Sequence, residues 1–173
     1  MNKLQQCIKH RKMLLSNPNK YTQDIDRAKM RFAQTAYKSV GRQGSNKKKL
    51  IPLFGELAQL VIEAQGNTPL YDYKDPLDIL PRAWNSPMNM DLDYVKYEIG
   101  HLTSINNGGS FKPENLSFQS ARCNQHIQSS LNFDETTEYR KVEEVTTRVE
   151  NLFELHKSKK WLDIKKEINS IVR

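Results

Sequence analysis

Apolar positions fall into helical stripes at both ends of the chain and into a short strand-like run between them. Over residues 22–40, Ile25, Ala28, Phe32, Ala36 and Val40 recur at steps of three and four, which places them on one face of an α-helix. Residues 50–64 are apolar on most sides and predict a buried helix, with Pro52 near its start, where a missing amide proton does little harm. Gly66, Asn67 and Pro69 end that segment. Residues 134–173 predict two further helices, broken near 157–160. Val142, Val145, Val149, Leu152, Phe153 and Leu155 supply the apolar face of the first; Trp161, Leu162, Ile164, Ile168 and Ile171 supply that of the second.

Between these blocks the pattern changes twice. Residues 69–93 carry Pro69, Pro76, Pro81 and Pro87 together with Asp72, Asp75 and Asn85, which predicts an extended, loop-rich segment. Tyr71, Tyr73 and Trp84 would anchor that segment to the core, base stacking being the other use of such aromatics. Residues 94–102 then form an apolar strand-like run that carries His101 near its end. A turn follows at Asn107, Gly108 and Gly109, then Glu114, Asn115 and Leu116, then a polar helix-like stretch through Arg122, Cys123 and Asn124. The whole reads as a mainly helical α+β fold. A length of 173 residues suits one compact domain, or a small catalytic module with helical additions.

Charge adds a polarity to this layout. The first fifty residues hold thirteen Lys or Arg against Asp24 and Asp26, a balance of +11, whereas the remaining 123 hold fourteen basic and eighteen acidic side chains, a balance of −4. A lopsided basic end is the electrostatic footprint of a polyanion binder. Arg27, Arg31, Lys38 and Arg42 recur at steps of four, seven and four, opposite the apolar stripe. They form either a solvated face or a rail of cations laid along phosphates. Lys47, Lys48 and Lys49 fall in the break over residues 41–49, a loop that could touch the same backbone. The C-terminal 134–173 balances nine acidic against nine basic residues, the composition of a scaffold or partner surface. No apolar run approaches the ~20 residues that span a bilayer. Lys3, Lys9, Arg11 and Lys12 interrupt the N-terminus where a signal peptide would be apolar. Two cysteines, Cys7 and Cys123, are too few for a disulfide framework and suit a reduced, cytoplasmic setting.

The order of polar residues after the strand-like run carries the most specific signal. His101 is followed by Asn115 fourteen positions later and by Asn124 nine after that, with Gly108-Gly109 and Glu114-Asn115-Leu116 between. The arrangement resembles the HNH (ββα-metal, or His-Me finger) endonuclease motif in its HNN form. The resemblance covers about thirty residues, a sixth of the chain. It implies a central hairpin-and-helix module that grips one divalent cation, flanked by N- and C-terminal helices. The regions would be a basic helical DNA-binding part at 1–66, the nuclease module at 67–133 and a helical part at 134–173.

Hydrolysing a phosphodiester needs a base for water, a cation for the developing charge and rigid placement of both. His101 is the candidate base, because an imidazole of ordinary pKa near 6.5 is largely neutral at working pH. By the resemblance, Asn115 holds the loop against the strand that bears the base, and Asn124 contributes a metal-binding oxygen. Mg²⁺ is the expected cation and Mn²⁺ would also serve. The chain departs from the family at Gly100, where an aspartate or histidine ligand is common. Glu98, on the same face of an extended strand, is either the replacement ligand or a solvent-facing glutamate, and Asp91 and Asp93 are further candidates. Arg122 is a candidate phosphate contact, whereas His126, about 200° around a helix from Asn124, would face away from the metal. Four zinc ligands cannot be assembled from two cysteines, so no structural zinc is expected.

The expected activity is metal-dependent cleavage or nicking of DNA, leaving 3′-hydroxyl and 5′-phosphate ends. Phage-encoded, homing and restriction enzymes are among the family's small members. One site cuts one strand, so a homodimer would suit double-strand cleavage. The rival readings are a DNA-binding protein on an inactive HNH fold, with Gly100 marking the lost ligand, and a nuclease directed at RNA.

Overall fold

The computed structural model describes residues 18–41, 44–67, 70, 97–120 and 143–173. Among these are four α-helices and one antiparallel hairpin, so the fold is mainly helical α+β. Helix α1 runs over Pro18–Tyr37 and passes into a 3₁₀ turn at Lys38–Val40. After a second 3₁₀ turn at Gly44–Asn46, α2 spans Lys47–Ala64. Strands β1 (Tyr97–His101) and β2 (Leu116–Ser120) follow, and α3 (Glu143–Lys157) and α4 (Lys159–Val172) complete the order.

The stripe read from the sequence is the face of α1 that packs inward: Ala28, Phe32 and Ala36 are buried, with Ile25 and Val40 at the margin. It lies mainly against α2, whose Leu50, Phe54, Leu57, Ala58, Val61 and Ile62 are almost wholly buried. Phe32 stacks on Phe118 of β2 with ring centres 5.5 Å apart, and Tyr97 of β1 meets Phe118 edge-on at 6.4 Å. On the other side, α2 carries α3 and α4 through Val149, Leu152, Trp161, Ile164 and Ile168. One core therefore runs from the basic N-terminal helix through the hairpin to the C-terminal pair. Each large apolar side chain buried there contributes about 1.5–3 kcal/mol.

Several boundaries have local causes. Ser158 separates α3 from α4, and its hydroxyl caps α4 by accepting from the Trp161 amide at 3.3 Å. Gln65 ends α2, followed by Gly66 and Asn67 with positive φ. Two details differ from the sequence reading. Lys47, Lys48 and Lys49 form the first turn of α2 rather than a loop, and Pro52 is thereby moved one turn into the helix. Pro52 and Lys48 are both exposed, so the hydrogen bond that Pro52 cannot make is lost on the solvent side of the helix and not in the core. Phe153 and Leu162, placed on apolar faces by their spacing, are 45% and 54% exposed. Their helices pack along one side only, and these residues lie at its edge. No described helix is long and apolar enough to cross a membrane.

Candidate active site

The hairpin sets the site. Its register pairs Tyr97 with Ser120, Glu98 with Gln119, Ile99 with Phe118, Gly100 with Ser117 and His101 with Leu116. Directly paired residues share a face and neighbours alternate. Tyr97, Ile99, His101, Leu116 and Phe118 thus lie on one face, continuous with the core. Glu98, Gly100, Ser117 and Gln119 lie on the other. The outer edge of β2 is held by Gln65 at the end of α2, whose carboxamide accepts from the Phe118 amide at 2.9 Å and donates to its carbonyl at 2.8 Å. Tyr97 is fixed at the opposite end by its hydroxyl, 3.1 Å from the Asn67 carbonyl.

Between the strands, the chain makes a loop fastened by Asn115. Its Oδ1 accepts from the Thr103 amide at 2.8 Å, and its Nδ2 donates to the carbonyls of Thr103 at 2.9 Å and Ser110 at 2.8 Å. The Leu102 amide donates to the Asn115 carbonyl at 2.8 Å, which carries the strand pairing one step past His101. The two glycines answer separate needs. Gly108 takes φ +84°, while Gly109 lies so close to the Thr103 carbonyl that a Cβ would collide with it.

His101 ends β1, half-buried. Its ring meets Phe111 of the loop edge-on, with centroids 5.6 Å apart, and Lys38 lies over the same phenyl ring at 5.3 Å. Burial, and then the nearby Lys38 ammonium, lower the His101 pKa below 6.5. Both disfavour the imidazolium and leave a neutral ring. The 3₁₀ turn after α1 is what delivers Lys38 to this position, away from the exposed Arg27 and Arg31 of the helix proper.

Behind the loop, Glu114 forms an ion pair with Lys165 of α4 at 2.9 Å. Burial alone would raise its pKa, but hydrogen bonds to Lys165, to its own backbone amide and to Trp161, with the Lys165 charge, bring the net value below the usual 4.5. His156 stacks obliquely on Trp161 at 4.8 Å, and its pKa is lowered chiefly by burial. Glu114, His156, Trp161 and Lys165, with Lys166 and Arg173, line an open cavity of about 470 Å³.

The structure thus brings His101, Asn115 and Glu98 onto one hairpin and adds Lys38 beside the histidine. Lys47, Lys48 and Lys49 are exposed on the first turn of α2. Arg42, Arg122 and Asn124 lie outside the described residues, as do Asp91, Asp93, His126, Tyr71, Tyr73, Trp84 and both cysteines. Sequence reasoning passed over Phe111 and Gln119. The hairpin register links Gln119 to Glu98, but that link needs the strand ends to be known. Among the described residues no group of three or more His, Cys, Asp or Glu converges to hold a metal ion. The chain finds no match among protein-family models, curated proteins or solved structures.

Proposed function

We propose that the chain is a metal-dependent DNA endonuclease of the HNH type, its hairpin forming the ββ part of a ββα-metal module. The observation that carries this reading is the Asn115 clamp: three side-chain hydrogen bonds tie the glycine loop to the backbone just beyond His101. A side chain that must take a proton from water in a fixed direction needs such a support. His101 acts as the general base, and its lowered pKa keeps it in the accepting form at neutral pH. Lys38, beside it, attracts the scissile phosphate.

A divalent cation would be held beside Gly100, the residue next to His101, where the buried carboxamide oxygen of Gln119 finds no donor among the described residues and Glu98 lies across from it. Mg²⁺ or Mn²⁺, when bound, would stabilise charge on the phosphorus oxygens and the leaving group. Arg27, Arg31, Lys38, Lys47, Lys48 and Lys49, with Arg42 and Arg122, supply affinity for the DNA backbone that weakens as salt rises. The setting is the cytoplasm of a bacterial or phage-infected cell.

A second reading, a DNA-binding protein that does not cut, is favoured by one observation: Gly100 has no side chain to offer a metal. Supercoiled-plasmid cleavage with Mg²⁺, Mn²⁺ or EDTA, comparing the wild type with His101→Ala, separates the two. Metal-dependent nicking abolished by the substitution is the expected result. Binding without cleavage of either the plasmid or a large phage genome, with every metal, would sink the nuclease reading. Preferential cleavage of matched RNA would reassign its substrate.

A further inference from the structure

Gly100 is empty of side chain, but the space beside it is filled. A Cβ built on Gly100 would overlap the carboxamide of Gln119, which reaches across from the neighbouring strand. Gln119 is wholly buried, and so is its neighbour Ser117. The Ser117 hydroxyl donates to the Gly100 carbonyl at 3.4 Å, and the Gln119 Nε2 donates to the Ser117 oxygen at 3.1 Å. With the Ser117 hydroxyl turned to Gly100, the amide is assigned with Nε2 towards Ser117, and Oε1 is an acceptor that finds no donor among the described residues. A buried carbonyl oxygen without a donor is unfavourable unless a cation or a proton donor meets it. Glu98, the cross-strand partner of Gln119, puts a carboxylate on the same face.

We propose that Gln119 is a metal ligand of this chain, its Oε1 standing where a side chain at position 100 would reach, with Glu98 supplying the negative charge that an amide lacks. The inference rests on the nuclease reading for the purpose of the metal, but not for its presence. A carboxamide oxygen and a carboxylate are hard donors suited to Mg²⁺ or Mn²⁺. The exchange also explains why position 100 is glycine: the hairpin cannot hold a Cβ there and Gln119 in its present place together.

The test uses the full-length chain and reads Mn²⁺ binding by electron paramagnetic resonance, with plasmid nicking measured alongside and folding checked by circular dichroism. Gln119→Leu, similar in size but lacking the acceptor, should weaken Mn²⁺ binding by about 10- to 100-fold. Gln119→Glu should tighten it. Gly100→Asp alone should weaken binding, because the new side chain collides with Gln119, while Gly100→Asp with Gln119→Ala should bind more tightly than Gln119→Ala alone. If Gln119→Leu does not fold, the Glu variant and the paired exchange decide the matter.

Unchanged Mn²⁺ affinity in Gln119→Leu, or a Gln119→Glu chain that binds no tighter than the wild type, overturns the proposal while leaving the nuclease reading intact. Binding that depends on Gln119 in a chain that cuts no DNA does the reverse. A wild-type chain that binds no Mn²⁺ and cuts nothing removes both.

Discussion

His101 shows how one side chain's chemistry depends on residues far away in sequence. Its ring is neutral at physiological pH because burial and Lys38 both oppose the charged form. Replacing Lys38 with methionine removes one of the two causes, so the His101 pKa should move up towards 6.5. In an NMR titration of the imidazole the midpoint would rise. If the chain is the nuclease proposed above, with His101 as its base, the acidic limb of its cleavage profile shifts to higher pH as well. A midpoint unchanged by the substitution would remove Lys38 from the electrostatics of the site. Stability follows the same sign. Because the folded state resists protonation, the contribution of His101 is present above 6.5 and is lost as pH falls through its lowered native value.

The loop between β1 and β2 is an element held by one residue. Asn115 satisfies an amide and two carbonyls that have no strand partner, doing with a side chain what a longer hairpin would do with backbone. Asn115→Ala leaves these groups to find water or remain unpaired. Loss of about 2–4 kcal/mol of stability is expected from the unmade hydrogen bonds. Exchange of the Thr103 amide hydrogen should quicken far more than that of the Phe118 amide, which Gln65 holds independently. Equal acceleration at both positions would mean that Asn115 supports the whole hairpin and not the loop. The same logic explains the two glycines, one for its positive φ and one for its closeness to the Thr103 carbonyl.

Across the whole molecule, α4 reaches back to the motif. Glu114, next in sequence to Asn115, is paired with Lys165, so the C-terminal helix braces the turn that leads into β2. The pair is partly exposed, and its carboxyl has a pKa below 4.5 in the folded chain. A depressed carboxylate stabilises above its unfolded value and loses that contribution as pH falls through its native one. Glu114→Gln should therefore lower the melting temperature at pH 7, with the difference from the wild type closing as pH falls through the lowered native pKa of the carboxyl. A gap that persists in acid would assign the effect to packing against Trp161 and not to charge. Gln65 from α2 and Lys165 from α4 thus hold the hairpin and its loop from two sides.

The sequence alone placed the helices to within a few residues and the run that forms β1, because periodicity and turn chemistry are local, while its pairing into a hairpin was implied by the family resemblance. The stripe of Ala28, Phe32 and Ala36, the Ser158 break and the end of α2 at Gln65 could all be placed within a few residues. It also singled out His101, Asn115 and Glu98, through spacing and a family resemblance. Three lysines at a helix start ran against the usual preference for negative charge there, so Lys47, Lys48 and Lys49 read as loop. Tertiary structure decided what those residues face. Lys38 meets Phe111 and flanks His101 only because a 3₁₀ turn redirects the end of α1, and Gln65 reaches Phe118 only when α2 docks on β2. Gln119 lies over Gly100 through a strand register that spans nineteen positions of sequence. Contacts of this kind depend on chain closure and packing, and no local pattern encodes them.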